Sequence, residues 1–299
     1  MKLGTRGSQL AQWQAAWVRG RLAALGVSAE IVIIKTRGDV EVDRPLHELE
    51  GKGFFTKEIE DALLARQIDV AVHSLKDLPT ELPKGLALAA VPARHDPREA
   101  LVGGTRLADL PQGARVGTSS LRRVTQVRYL RPDLEIVSLR GNVPTRVRKV
   151  ESHEGCDAAL LALAGLERLS LGGSATPIDP LEVMPAPGQG ALGLEIRSDD
   201  RKTRDTLNSL GDAASERAVQ AERALLAALG GGCQAPVAAF VETADGGRGK
   251  GRLFGRVTAS DGGVQLTASA DIDAARPQKA GEAVARLLAA AGAASLLAR

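Results

Sequence analysis

A chain of 299 residues is long enough for two or three domains, each with a core of its own. A net charge of only +3 and an aromatic content of 2% argue against a nucleic-acid surface, which needs a basic excess and stacking rings. Two cysteines, Cys156 and Cys233, make no disulfide framework, and no apolar run is long enough to cross a bilayer, so a cytoplasmic setting is expected.

The first half alternates strand and helix patterns. Residues 3–5 read as a short strand, and Ser8 caps a helix that runs to residue 25, stopped by Gly26. Residues 31–34 read as a buried strand, 54–65 as a helix, 69–72 and 86–91 as strands. Residues 40–53 break the pattern with charge and Pro45, and are expected to form a long loop, either a lid over a site or an ordinary surface loop. A second run follows: a strand ending at Val116, a helix over 119–130, a strand over 135–139, a helix start near Pro144, a buried strand over 158–163 and a helix around 166–169. Residues 177–187 are proline-rich and read as irregular, and 191–196 as a strand. Residues 213–229 form an amphipathic helix. Beyond Cys233, three strands (237–241, 253–258 and 264–270) are joined by Gly/Asp turns, and a helix over 280–291 closes the chain. The fold class is therefore α/β, followed by a small α+β domain.

Four strand-to-helix junctions carry groups that bind anions. Thr5-Arg6-Gly7-Ser8 is the first. The second, His73-Ser74-Leu75-Lys76-Asp77-Leu78-Pro79, puts a hydroxyl, a cation and a carboxylate in one turn. Ser74 and Lys76 can hold an anion; Asp77 can serve as a general acid, as a counter-ion to a developing cation, or simply as a cap for turn amides. The third, Gly117-Thr118-Ser119-Ser120-Leu121-Arg122-Arg123, combines small hydroxyls at a helix start with two guanidiniums. The fourth, Leu139-Arg140-Gly141-Asn142-Val143-Pro144-Thr145-Arg146, repeats the design. Four such junctions in one chain point to a polyanionic ligand in a cleft. Gly230-Gly231-Gly232-Cys233 ends the helix before it, and reads either as a place where a bulky group approaches a thiol or as a helix end followed by a buried cysteine. The four histidines lack metal-ligand spacing, and neither a serine-hydrolase elbow nor a dinucleotide fingerprint occurs.

Taken in order, these stretches resemble the porphobilinogen deaminase (hydroxymethylbilane synthase) family. Further matching pieces are Thr36-Arg37-Gly38-Asp39, Gly51-Lys52-Gly53-Phe54-Phe55-Thr56-Lys57-Glu58 and Pro187-Gly188-Gln189-Gly190. The resemblance implies two α/β domains like type II periplasmic binding proteins and a small C-terminal α+β domain. Domain 1 would comprise 1–93 and 191–211, domain 2 94–190, and domain 3 212–299. It implies a transferase of tetrapyrrole (heme, porphyrin) biosynthesis, working as a monomer on porphobilinogen, with no nucleic acid, membrane or metal. The implied cofactor is dipyrromethane, joined by a thioether to Cys233. Asp77 would be the catalytic carboxylate. Ser74, Lys76, Thr118, Ser119, Ser120, Arg122, Arg123, Arg140 and Arg146 would contact the cofactor. Arg6, Ser8, Arg168 and Gln189 would contact substrate, and Lys52, Phe55 and Lys57 would belong to the active-site loop region. A non-catalytic binder of polycarboxylates would use the same arginines, but leaves the Gly-Cys tract and the Lys76-Asp77 pair without a use.

Overall fold

The protein is described by a computed structural model covering residues 1–36, 56–230, 235–243 and 251–297. The expected loop over 40–53, with Lys52, Phe55 and Cys233, lies outside the described residues. The chain forms two compact units, 1–95 with 191–216, and 96–190 with 217–299.

The first unit is built on a five-stranded sheet. Its strands are β1 (Lys2–Thr5), β2 (Glu30–Ile33), β3 (Val70–Ser74), β4 (Leu86–Ala90) and β10 (Leu192–Arg197), in the order β2-β1-β3-β10-β4. β1 pairs in parallel with β2 and β3, whereas β10 runs antiparallel between β3 and β4. Helix α1 (Gln9–Ala24) begins at Ser8, whose hydroxyl accepts the Ala11 N–H at 3.3 Å. Its buried stripe of Ala15, Val18 and Leu22 packs with Leu3, Val70, Val72, Leu192, Leu194 and Ile196. Helix α6 (Arg201–Asn208) adds Leu207 to that core. Helix α2 (Lys57–Leu64) covers the other face through Ile59, Ala62 and Leu63. Alternation along each strand decides which residues meet which helix.

The second unit holds two sheets. One has the order β7-β6-β8-β5-β9, from β5 (Glu99–Val102), β6 (Arg115–Gly117), β7 (Glu135–Val137), β8 (Ala158–Ala162) and β9 (Ala175–Pro177). Helix α3 (Leu121–Leu130) packs on one face, and α4 (Val143–Glu151) with α5 (Leu163–Arg168) on the other. The second sheet is an antiparallel meander of β11 (Val237–Thr243), β12 (Gly251–Thr258) and β13 (Gln265–Asp271). It buries its apolar face against α7 (Ala213–Ala228), α8 (Gln278–Ala290) and α9 (Ala293–Leu297). Arg256 of β12 ties the meander to α3 and to the 181–182 segment, donating to Gln126 Oε1 at 3.0 Å and to the carbonyls of Glu182 and Leu181.

Two α/β sheets and a small α+β sheet are the architecture expected from the sequence. The differences are local. Strands β5 and β9 and helices α6 and α9 were not anticipated. β5 is four residues opening on a glutamate, β9 is three residues ending in proline, and α6 buries only Thr203 and Leu207 on a strongly polar helix. Elements this short, or with this few apolar residues, offer little apolar pattern to read. The strand expected over 135–139 stops at Val137, and the helix expected at 166 begins at Leu163.

Candidate active site

The first unit presents the 74–78 turn. β3 ends at Ser74, and Leu75–Asp77 forms one turn of 3-10 helix closed by the Leu78 N–H on the Leu75 carbonyl at 3.1 Å. Leu75 and Leu78 are 0% and 2% exposed, while Lys76 and Asp77 between them are half-buried. The leucines pin the turn, each contributing about 1.5–3 kcal/mol by burial. Room for Leu75 comes from Gly193 of β10, where a Cβ would meet Leu75 Cδ1 at 2.8 Å and Leu88 Cδ1 at 3.1 Å. The Leu75 N–H reaches the Ala191 carbonyl at 3.0 Å, so the turn is bolted to the start of β10. Ser74 Oγ sits 2.8 Å from Gln14 Nε2 of α1. In the same unit Arg6 is half-buried and Ser8 is occupied as the α1 cap. Lys57 pairs with Asp61 at 3.1 Å on the exposed side of α2, both side chains more than half exposed.

The second unit contributes hydroxyls and guanidiniums. Thr118 is 4% exposed, and its Oγ1 accepts the Ser120 N–H at 3.3 Å. Ser119 Oγ donates to the Leu139 carbonyl at 3.0 Å, joining the 117–123 junction to the 139–146 junction. Ser120 stands at the head of α3 without a side-chain cap bond. Arg122 and Arg123 do not point outward. Both are 5% exposed, and they grip the two oxygens of Glu99, Arg122 Nη2 to Oε1 at 2.6 Å and Arg123 Nη2 to Oε2 at 2.7 Å. Their remaining Nη1 groups donate to the carbonyls of Met184 and Leu160. Burial pulls the Arg122 guanidinium below its ordinary value, and Glu99 works against that shift.

At the 139–146 junction, Asn142 caps α4 by accepting the Thr145 N–H at 2.9 Å. Arg140 and Arg146 are half-buried, and Arg146 Nε donates to the Gly141 carbonyl at 2.8 Å. Arg168, 5% exposed, donates to the Gly190 carbonyl at 2.7 Å; burial lowers its pKa to about 10. Gln189 is fully buried and donates to the Pro97 carbonyl at 2.9 Å. The turn that carries Gln189 depends on Gly188, whose φ of 75° suits glycine and turns its N–H onto Glu222 Oε2 at 2.7 Å. Glu222 Oε1 also accepts the Val241 N–H at 3.1 Å, so α7 holds both the 187–190 turn and β11.

Half-buried bases at 140 and 146, with an uncapped helix start at 120, form a donor set suited to a ligand bearing several carboxylates. A family model described as "Porphobilinogen deaminase, dipyromethane cofactor binding domain" matches residues 1–205, and one for the porphobilinogen deaminase C-terminal domain matches residues 217–290. The chain belongs to the porphobilinogen deaminase family. It is 49% identical to the porphobilinogen deaminase of Geobacter metallireducens over 276 residues, 86% of each chain. It is 46% identical to that of Syntrophobacter fumaroxidans, covering 99% of this chain and 96% of that one. For the Moorella thermoacetica protein the figures are 47%, 99% and 95%. Among solved structures, an ancestral cationic amino acid solute binding protein aligns with 70% of this chain and 87% of its own at 15% identity and a TM-score of 0.45.

Membership of this family makes the chain an enzyme of tetrapyrrole biosynthesis with a dipyrromethane-binding domain. Among the described residues no helix is long and apolar enough to cross a membrane. Four buried partners escaped the sequence reading: Glu99, Glu195, Glu222 and Gln14. A lone glutamate inside an apolar strand, as in Leu192-Gly193-Leu194-Glu195-Ile196, is the signal that could have found one of them, because an acid at a buried register position needs a partner.

Proposed function

We propose that this protein is a hydroxymethylbilane synthase, a cytoplasmic, monomeric transferase that joins four porphobilinogen molecules head to tail, losing ammonia at each step, and releases the linear product by hydrolysis. Bound dipyrromethane, attached through a thioether to Cys233, would supply the primer on which the chain grows. The domain division follows the resemblance: 1–93 with 191–211, then 94–190, then 212–299.

The observation that carries this reading is the Lys76–Asp77 turn, a carboxylate and a cation held half-buried between two fully engaged leucines. Ammonia loss leaves positive charge on the substrate pyrrole. A carboxylate fixed beside it in a partly desolvated setting stabilises that charge without reorganising, and Asp77 takes this role. Lys76 and Ser74 bind an acidic substituent at the same turn. Thr118, Ser119, Ser120, Arg140 and Arg146 bind further acetate and propionate groups, with Arg6 on the substrate. Arg122, Arg123, Arg168 and Gln189 are proposed to act from within, since their visible bonds brace Glu99 and the 187–190 turn. Ser8 works chiefly as a helix cap.

The deciding experiment is an intact mass of the purified protein with an assay of porphobilinogen turnover. A stable excess mass equal to two pyrrole units, absent in Cys233→Ser, is expected. An unmodified wild type that fails to consume porphobilinogen would refute the proposal.

A further inference from the structure

Helix α1 and strand β3 both turn from apolar to polar at the same end of the first sheet. Residues four apart share a ridge of a helix, and Gln14, Val18 and Leu22 are all buried on α1. Residues two apart share a face of a strand, and Val70 and Val72 of β3 join Val18 and Leu22 in one core. Gln14 extends the helix ridge beyond Val18, and Ser74 extends the strand face beyond Val72. The two polar ends meet: Gln14 Nε2 lies 2.8 Å from Ser74 Oγ, and Gln14 Oε1 lies 3.2 Å from it.

Gln14 is 1% exposed, and among the described residues its amide meets no hydrogen-bond partner other than Ser74. A buried primary amide on an otherwise apolar ridge is costly unless it is hydrogen-bonded. The strand end has other anchors. The Leu75 N–H reaches the Ala191 carbonyl at 3.0 Å, and on the opposite face of β3 His73 Nε2 lies 2.9 Å from Glu195 Oε2. Gln14 therefore acts on the hydroxyl of Ser74 more than on its backbone.

A serine hydroxyl has one proton to donate and two lone pairs, whereas an ionised carboxylate only accepts. Ser74 can serve a carboxylate only as a donor. In the shorter contact the Gln14 amide N–H donates to Ser74 Oγ, which occupies a lone pair and leaves the hydroxyl proton for another acceptor. In the longer contact that proton rests on Gln14 Oε1. A carboxylate outcompetes a neutral amide oxygen, because hydrogen bonds to an ionised acceptor are roughly twice as strong.

We propose that Gln14 is a positioning residue that presents the Ser74 hydroxyl as a hydrogen-bond donor to a carboxylate of the pyrrole ligand, beside Lys76 and Asp77. Lys76 supplies charge without direction, and Ser74, oriented from behind, supplies direction. Ser74 as a ligand group belongs to the function proposed above, and the role of Gln14 rests on it.

A double-mutant cycle on the full-length enzyme decides, using Q14M, S74A and the Q14M/S74A double variant. The readout is kcat/KM for porphobilinogen per polypeptide, which counts poor primer loading and poor substrate binding alike. S74A is expected to lower it about tenfold, the loss of one charge-assisted bond. Q14M keeps the length of the side chain, removes its amide, and is expected to lower kcat/KM about threefold to fivefold. The double variant is expected to match S74A, because without the hydroxyl there is nothing to orient. A merely structural role for Gln14 would persist in the S74A background, and the losses would multiply to about thirty- to fiftyfold. That multiplication, or a Q14M enzyme with wild-type activity, overturns the positioning role. If Q14M does not fold, Gln14→Leu, which prolongs the Val18–Leu22 ridge, takes its place in the cycle. A fully active S74A removes Ser74 from the ligand site and the role of Gln14 with it. A wild type that does not consume porphobilinogen refutes the proposed function itself.

Discussion

The turn at 74–78 and the turn at 117–123 both leave a strand and enter a helical segment carrying hydroxyls and bases, yet they spend their charges in opposite directions. In the first, leucines fill the interior and Lys76 and Asp77 are left half-buried at the surface. In the second, Arg122 and Arg123 go inside, because Glu99 waits on β5 with one oxygen for each. A buried counter-charge elsewhere in the chain, rather than the local motif, decides whether a junction arginine braces the fold or faces a ligand.

Removing that counter-charge should give the largest effect. Glu99→Ala leaves two buried guanidiniums without their acid and is expected to cost about 3–5 kcal/mol of stability, read from urea unfolding. An unchanged midpoint would mean that Arg122 and Arg123 are free to swing out, and the contrast between the two turns would vanish. Asp77→Asn tests the other side. The fold should survive, since Asp77 is half-buried beside leucines that do the anchoring, while turnover should drop about 10²–10³-fold. Loss of secondary structure by circular dichroism would instead make Asp77 a bracing residue like Glu99.

Most strands and the main helices were legible from sequence, because apolar alternation and caps such as Ser8 are local signals. The fate of Arg122 and Arg123 was not. Glu99 lies more than twenty positions upstream on a strand too short to read, and nothing in the 117–123 motif announces it. The same holds for Glu222, which braces the 187–190 turn from α7, and for Gln14, which reaches Ser74 across 60 positions. Sequence motifs exposed the candidate ligand-binding groups; the residues that brace them are long-range pairs, and only packing reveals those.

A middle-sized effect should sharpen the comparison within the second unit. Arg140 is half-buried, unlike Arg122 and Arg123, and so is the better candidate for a ligand contact. Arg140→Leu is expected to lower kcat/KM for porphobilinogen, or the rate of cofactor assembly followed by intact mass, about tenfold, with little change in the urea midpoint. A large fall in stability with normal assembly would move Arg140 into the bracing class.

The smallest effect belongs to a surface ion pair that resembles the Glu99 cluster in composition but not in setting. Arg115 of β6 and Asp157 meet at 2.9 Å, each side chain 38% exposed, and the arginine holds the Asp157 pKa down to about 2. A depressed carboxylate stabilises the fold above its unfolded value, and that contribution is lost as pH falls through the native value. The window therefore runs from the ordinary aspartate value of 3.8 down to about 2. Solvent screens an exposed pair, so Asp157→Asn should lower the neutral-pH midpoint only slightly, and about 1 M salt should erase the difference. A salt-resistant loss comparable to that of Glu99→Ala would show that exposure does not separate the two pairs, and the explanation given for the inward arginines would have to change.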